Sequence, residues 1–175
     1  MDGPDVADVV AAASGDVAAF ERLVRHMQGP VWRYVVHLVG DRALAEDISQ
    51  EVFLRAHRKL HTLENPDRFV PWLLATARNA AYDAGRYKKR RPVQLLGDRQ
   101  PDASDSRDPH IGIEVRDALE RIDETLRESL VLVVMIGLTY QEAAEAIGVP
   151  EGTVKSRTFR ARRILIQMLG ANDDL

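Results

Sequence analysis

Five cations with no acid among them make the region near the end of the chain a candidate phosphate-binding surface. They are Lys155, Arg157, Arg160, Arg162 and Arg163. Lysine and arginine bind phosphate oxygens, and from a helix in the major groove they also donate hydrogen bonds to base edges. The chemistry indicated is binding of duplex DNA, if a helix presents these side chains.

The residues before this cluster predict such a helix. Thr139 is expected to cap a first helix, with Glu142 closing a capping box, and Gly148 is expected to end it. Pro150 suits the first turn of a second, basic helix. A short helix, a glycine-containing turn and a basic helix are typical of the helix-turn-helix motif. The alternative is an ordinary helical hairpin with a solvated basic face. The agreement of cap, turn and charge favours DNA binding.

A second group of cations ends a long helix predicted from Phe69 to about Arg90. Residues 86–91 hold five cations and one tyrosine, more than the helix dipole alone would favour. The same helix carries Trp72, Tyr82 and Asn79. Aromatic rings stack on unstacked bases and an amide binds a base edge, so we predict a site for a single strand of nucleic acid. The buried face is predicted to be Phe69, Leu73, Ala77, Ala80 and Ala84.

A third surface is predicted on a helix within residues 41–60. Its buried face is set by the four-residue spacing of Leu44, Ile48, Val52 and Ala56. The opposite face carries Asp47, Gln50, Glu51, Leu54 and Arg58. An exposed leucine among charges is either ordinary surface or the centre of a partner-binding patch, and the spacing alone favours neither.

The sequence shows no motif typical of a catalytic or metal-binding site. His57 and His61 lie one helical turn apart, but no further ligands accompany them, so we expect a solvated pair and no metal site. The chain has no cysteine, no phosphate-binding loop and no Ser-His-Asp order. We therefore predict a non-enzymatic protein without a cofactor.

The composition indicates an all-α protein of two small helical domains, residues 1–91 and 111–175, joined by a flexible acidic linker at 92–110. This linker is rich in proline, serine and aspartate. In the first domain, Gly29 and Pro30 are expected to interrupt a helix that Asp16 begins. Acids precede the first cation, Arg22, so we expect no secretory signal, no membrane insertion and a cytoplasmic location.

The second domain is predicted to begin with a helix from Ile111 whose apolar stripe runs to Leu130. The stretch from Leu130 to Ile136 is apolar on every side. Such a helix is usually wedged between others, so burial inside the second domain is expected, with a partner-covered surface as the alternative.

Two nucleic-acid sites of different chemistry, one for duplex and one for unstacked bases, suit a protein that recognises and opens promoters. At these residues the sequence resembles the extracytoplasmic-function sigma factors of bacterial RNA polymerase, from about Asp16 to Leu169. Three blocks carry the resemblance, namely residues 45–55 (AEDISQEVFLR), residues 68–79 (RFVPWLLATARN) and residues 152–157 (GTVKSR) followed by Arg160 and Arg162.

The resemblance implies a role for each surface. The face with Asp47, Gln50, Glu51, Leu54 and Arg58 would dock on the clamp coiled coil of the polymerase core, which also offers its flap to sigma factors. The melted minus-ten strand would contact Leu63, Arg68, Trp72, Asn79, Asp83, Arg86, Lys88, Lys89 and Arg90. The minus-thirty-five duplex would contact Thr153, Lys155, Ser156, Arg157, Phe159, Arg160 and Arg163.

Some residues depart from the family pattern. Leu63 stands where the family commonly has an aromatic residue in the pocket for a flipped base. The second domain lacks charges in residues 131–136, where the family usually has them, so it presents a more apolar face. We expect an anti-sigma factor to cover that face. The alternative function is a helix-turn-helix regulator that binds DNA without polymerase, which would not need the acidic face around Asp47 and Glu51.

Overall fold

The computed structural model describes residues 3–90, 115 and 117–170, and for residues 86–90 it describes the backbone alone. All regular structure in these residues is helical, which confirms the all-α class with two helical domains. The first domain contains α1 (Val6–Ala13), α2 (Val17–Val39), α3 (Arg42–Lys59) and α4 (Phe69–Arg90). The second contains α5 (Glu124–Leu130), a π-helical turn (Val131–Met135), α6 (Tyr140–Ile147) and α7 (Glu151–Met168). The linker predicted at 92–110 lies outside the described residues.

Aspartate side chains begin several helices by accepting a hydrogen bond from an otherwise unpaired backbone amide. Asp16 accepts from the Ala19 amide at 3.0 Å, which confirms its predicted cap. Asp41 accepts from the Leu44 amide at 3.0 Å at the start of α3. These short-range bonds fix where α2 and α3 begin, and therefore which of their residues face the core.

The prediction that Gly29 and Pro30 interrupt a helix is wrong. Helix α2 runs without a break through Pro30, which is buried. A proline inside a helix forfeits one backbone hydrogen bond. Here Met27 and Val31, both fully buried, continue the apolar stripe on either side of it. Burial of that stripe outweighs the local cost, and the helix ends instead at Gly40, whose φ of 69° is left-handed.

The first-domain core lies where α2, α3 and α4 meet. The predicted buried face of α3 is confirmed: Ile48, Val52 and Ala56 are buried and Leu44 is half-buried. The predicted face of α4 is also confirmed, with Phe69, Leu73, Ala77 and Ala80 buried and Ala84 half-buried.

Helix α4 has a second buried face that the sequence did not predict. Val70, Leu74 and Ala81 are buried on the flank that also carries Arg78. Helix α4 contacts α6 of the second domain. Because two flanks of α4 are covered, the exposed side of its described side chains is the one that carries Asn79 and Asp83, with Trp72 half-buried beside them.

The helix predicted to run from Ile111 through Leu130 is broken at residues 121–123. The Asp123 carboxylate accepts hydrogen bonds from both the backbone amide and the hydroxyl of Thr125, at 2.9 and 2.6 Å, and so starts α5 afresh. The predicted stripe still packs together, because Leu119, Ile122 and Leu130 form a small core with Ala161 of α7.

The apolar stretch at 130–136 is only partly buried within the second domain. Val131, Leu132 and Ile136 are buried in one continuous core that also contains the first-domain core residues, and the π-helical turn contacts α2. Val134 and Met135 are 51% and 41% exposed. The expectation of burial inside the second domain is therefore corrected, since the chain's own first domain supplies part of the cover.

Candidate nucleic-acid and protein interfaces

The helix-turn-helix is built from local hydrogen bonds. The Glu142 carboxylate accepts from the Thr139 amide at 2.8 Å, and the Thr139 hydroxyl accepts from the Glu142 amide at 3.2 Å, so the predicted capping box is present. Gly148 ends α6 with a φ of 71°. Pro150 is the N-cap of α7, one position before the first-turn place predicted for it. The predicted pair of helices around a tight turn is confirmed.

Helix α7 presents most of the predicted duplex-reading residues to solvent. Lys155, Ser156, Phe159, Arg160 and Arg163 are exposed, while Thr153 and Arg157 are half-buried. Val154, Thr158 and Ala161 lie on the opposite face of this helix and are buried. Phe159 is 62% exposed, an unusual setting for a large apolar ring. Apolar side chains on a recognition helix contact thymine methyl groups, so its exposure suits DNA binding.

Lys155 and Arg163 each interact with neighbours on the same surface. The Lys155 ammonium lies 2.7 Å from a Glu151 carboxylate oxygen and 5.7 Å from the Tyr140 ring centroid. The hydrogen bond and the charge of Glu151 raise the pKa of Lys155. The Arg163 guanidinium lies 5.9 Å from the Phe159 ring centroid. Both cations are thus held by neighbours on their own surface before any DNA is bound.

The predicted single-strand site lies on the open side of α4. Asn79 and Asp83 are exposed and Trp72 is half-buried, with its ring 6.2 Å from that of Phe69. Leu63 is half-buried and packs against the core, in the loop between α3 and α4. The side chains of Arg86, Lys88, Lys89 and Arg90 lie outside the described residues.

Two residues assigned to this strand site make contacts to the second domain. The Arg68 guanidinium forms an ion pair with Glu145 of α6. The Tyr82 hydroxyl donates to a Glu124 carboxylate oxygen at 3.1 Å, and the Arg78 guanidinium lies over its ring at 4.7 Å. Burial raises the pKa of Tyr82 to about 12, with the Glu128 charge adding to the effect. Tyr82 thus reaches the second domain through its hydroxyl, while its ring contacts Arg78 of its own helix.

The candidate protein-docking surface on α3 is exposed as predicted. Asp47, Gln50 and Arg58 are exposed, and Leu54 is 60% exposed. Glu51 is half-buried and accepts from Arg55 at 2.8 Å, with Arg58 at 3.6 Å. The hydrogen bond from Arg55 lowers the pKa of Glu51, so this carboxylate stays ionised.

An open groove of about 1130 Å³ adjoins this surface, between α2 and α3. Phe20, Trp32 and Phe53 line it together with Leu54. The sequence did not predict that Phe20 and Trp32 would border the docking surface. An apolar groove with a charged rim is characteristic of protein interfaces.

A buried carboxylate joins the two domains. Glu128 of α5 has a side chain only 3% exposed. One of its oxygens accepts from the Tyr34 hydroxyl and from Arg78 Nε, both at 2.8 Å, and the other accepts from Arg78 Nη2 at 3.3 Å. We call Tyr34, Arg78 and Glu128 the interdomain clasp.

The clasp shifts the pKa values of Tyr34 and Arg78. Burial raises the pKa of Tyr34 well above its usual value, and the Glu128 charge raises it further. For Arg78, burial alone would lower the pKa, but the hydrogen bond and charge of Glu128 raise it. Sequence reasoning missed the clasp, since its members come from α2, α4 and α5 and share no local motif.

His57 and His61, the histidine pair singled out in the sequence, are both exposed. Within the described residues, no group of three or more His, Cys, Asp or Glu is placed to hold a metal ion. His57 packs edge-on against Phe20, with ring centroids 4.9 Å apart. In the same residues, no helix is long and apolar enough to cross a membrane.

Comparison with known proteins gives the chain a family. Residues 23–91 match the model of sigma-70 region 2, and residues 113–165 match that of sigma-70 region 4. The sigma factor SigC of Mycobacterium tuberculosis is 35% identical over 162 residues, which cover 90% of this chain and 86% of SigC. SigM of Bacillus subtilis is 32% identical, with 82% of this chain and 92% of SigM covered.

Two solved structures have the same fold. CnrH, solved in complex with the cytosolic domain of CnrY, superposes with a TM-score of 0.71 at 26% identity, covering 97% of this chain and 99% of CnrH. RpoE, solved with the anti-sigma factor NepR from Bartonella quintana, gives 0.74 at 25% identity, covering 89% and 99%. Together with the three helical surfaces described above, these matches show that the chain belongs to the extracytoplasmic-function sigma factors of the sigma-70 family.

Proposed function

We propose that this chain is a promoter-specificity subunit of RNA polymerase whose three exposed surfaces divide the work. The α3 surface docks on the polymerase clamp, the open side of α4 holds the melted minus-ten strand, and α7 reads the minus-thirty-five duplex. The observation that carries the proposal is the docking surface on α3, where Leu54 is 60% exposed among charged residues and beside an apolar groove. A protein that only binds DNA has no use for it.

At the duplex, Arg160 and Phe159 are the residues placed to contact base edges, because both project from the exposed face of α7. Arg163 and the half-buried Arg157 are suited to phosphates. Lys155 gives up its ion pair with Glu151 when it binds DNA, so one ionic interaction replaces another.

At the melted strand, Trp72 offers a ring for stacking and Asn79 an amide for a base edge. Asp83 lies 4.0 Å from Arg55, which also bonds Glu51 on the docking surface. Arg55 therefore connects the polymerase-facing and strand-facing surfaces.

The protein performs no bond chemistry in this proposal, because polymerase makes the RNA. It works in the cytoplasm, where the promoter and polymerase are. The similar sigma factor RpoE was solved in complex with the anti-sigma factor NepR, and we propose an anti-sigma partner for this chain as well. The apolar residues Val134 and Met135 remain exposed for such a contact.

The test begins with reconstitution. Core polymerase with this protein should start RNA at defined sites on genomic DNA, and sequencing that RNA would reveal the promoter. Asp47→Lys with Glu51→Lys should weaken core binding at least tenfold, since like charges across an interface are strongly unfavourable. A matched control, Glu21→Lys with Asp117→Lys, makes the same charge change at exposed positions off α3.

The second candidate, a stand-alone helix-turn-helix regulator, makes the opposite prediction. It would bind duplex DNA without polymerase, and the α3 charge reversal would leave every activity unchanged. If core binding survived that reversal in a folded protein, the sigma-factor proposal would be refuted.

A further inference from the structure

The loop between α3 and α4 contains Leu63 and Arg68, two of the residues assigned to the melted strand. Its tip lies between two short 3₁₀ turns, Leu60–Thr62 and Pro66–Arg68. The backbone amides of Leu63 and Arg68 each donate to the carbonyl oxygen three residues earlier, at 3.0 Å. Bonds of this short range shape each turn, but they do not set the position of one turn relative to the other.

Helix α1 contacts both of these turns. It packs against the turn at 60–62, against the turn at 66–68 and against α2. Val9, which is 2% exposed, is the buried residue of α1, and it belongs to the same core cluster as Leu60 at the start of the loop. Leu63 is half-buried and packs against that cluster as well. Helix α1 therefore forms a support behind the loop.

An ion pair with α2 holds α1 in this position. Arg22 donates from Nε to both carboxylate oxygens of Asp8, at 3.0 Å each, and from Nη2 to one of them at 2.6 Å. An arginine that binds a carboxylate through two nitrogens fixes the relative orientation of the two groups as well as attracting them. A helix of eight residues has little stability by itself, so α1 depends on its contacts with α2 and the loop.

We propose that α1 positions the loop that reads the flipped base of the minus-ten strand, and that Val9 and Asp8 are its positioning residues. The proposal rests on the proposed function, because it gives α1 a share in reading that strand. Helix α1 contains none of the residues assigned so far to DNA or polymerase, so its effect passes through the loop. A flipped base is recognised by the walls of its pocket. While α1 is docked, the two turns keep one spacing and the pocket beside Leu63 keeps one shape.

A positioning role and a merely stabilising role predict different results. If α1 only stabilised the first domain, its displacement would reduce activity on every promoter alike. If α1 positions the loop, its displacement reduces the preference among bases at one minus-ten position. The preference at the minus-thirty-five element, which α7 reads, then stays unchanged and serves as an internal control.

Two adjacent valines of α1 give a matched pair of variants. Val9→Asp places a carboxylate at a buried apolar site, which is strongly unfavourable, so α1 should leave the loop. Val10→Asp makes the same change on the same helix at a side chain that is 49% exposed, so α1 should stay docked.

The ion pair gives a second, milder series that keeps the core intact. Asp8→Arg places two cations together and should weaken the docking of α1, and Asp8→Arg combined with Arg22→Asp should recover most of the loss. Both side chains remain in contact with solvent, so this series decides the question if Val9→Asp disrupts the whole fold. The expected effect of Asp8→Arg is about twofold to fivefold, the range for a pair near the surface.

Hydrogen exchange in the free full-length chain measures whether α1 supports the loop. A backbone amide exchanges when its hydrogen bond opens. The amides of Leu63 and Arg68 should exchange at least about tenfold faster in Val9→Asp than in the parent chain, because a buried unpaired carboxylate displaces α1. They should exchange at the parent rate in Val10→Asp.

Transcription from randomised promoters measures the base preference. Core polymerase reconstituted with each variant transcribes the promoter library, and sequencing the RNA with its templates gives the preference at every position. Leu63→Ala, a change within the loop, identifies the minus-ten position that the loop reads. In Val9→Asp the preference at that position should fall at least about tenfold, with the minus-thirty-five preference unchanged.

The outcomes separate this inference from the proposed function. Faster exchange in Val9→Asp with an unchanged minus-ten preference would overturn the positioning role. An equal loss of preference at both elements, or an equal response of Val10→Asp, would also overturn it. If the parent chain started no RNA with core polymerase, the proposed function itself would be refuted. If the parent chain initiated normally and neither α1 series changed the preference, this inference alone would be wrong.

Discussion

Replacing Leu132 by alanine should destabilise both domains together. Leu132 is fully buried in the core that the two domains share. Leucine-to-alanine changes at such sites cost about 2–5 kcal/mol, because transfer free energy is lost and a cavity remains. We take about 3 kcal/mol. For a unit of 150–250 residues each kcal/mol lowers the melting temperature by about 2–4 °C, so the expected shift is roughly 6–12 °C.

The positions of the tryptophans allow the unfolding of the first domain to be measured separately. The chain has two, Trp32 and Trp72, and both lie in the first domain next to the shared core. Tryptophan fluorescence therefore follows the unfolding of the first domain alone, while circular dichroism follows all helices. If the domains unfold as one unit, a change at Leu132 in the second domain lowers both transitions equally.

The control is a change of the same kind on the same turn. Val134→Ala removes carbon from a side chain that is 51% exposed, so its cost should stay within about 0.5 kcal/mol. The coupling argument fails if Leu132→Ala lowers the helical transition but leaves the tryptophan transition in place. The packing argument fails if neither transition moves.

Three further predictions concern His37, Lys155 and Trp72. Burial, and the nearby Arg127 guanidinium of the second domain, lower the pKa of His37 below its ordinary 6.5. The unfolded chain should therefore take up a proton at His37 as the pH falls through 6.5 while the folded protein resists it, so the melting temperature should decrease on acidification and His37→Asn should flatten the response. Lys155→Ala should reduce the salt dependence of duplex binding by about one counterion, whereas Arg162→Ala, outside the predicted contact set, should change it less. Trp72→Ala should leave duplex binding intact and impair promoter opening, measured with a fluorescent base in the melted region; normal opening would remove the single-strand assignment.

Local chemistry accounts for the parts of the fold that the sequence predicted well. The capping box of Thr139 and Glu142 and the left-handed Gly148 lie within a few residues of the groups they bond, so the motif can be recognised without any knowledge of distant contacts. The buried face of α3 follows from four-residue spacing in the same way.

The errors came where a local signal competed with a distant one. Pro30 reads as a helix breaker, but the apolar stripe of α2 is buried on both sides of it and the helix continues. The apolar stripe leading to Leu130 predicts one helix. In the structure the hydroxyl and amide of Thr125 donate hydrogen bonds to the Asp123 carboxylate, and a new helix begins there. The spacing of apolar residues does not show how much apolar surface a segment will bury. It also does not show which side chain will accept a hydrogen bond from a backbone amide.

The sequence by itself determined the helical class, the helix-turn-helix, the charged face of α3 and the family to which these belong, because each rests on residues close together in the chain. Only the tertiary structure decided that the second flank of α4 is covered by the other domain and that Glu128 is buried there. Its partners Tyr34 and Arg78 lie 94 and 50 residues away, and neither has a sequence signature as a ligand for a carboxylate. Such a contact exists only when three helices from two domains meet, which spacing along one helix cannot show.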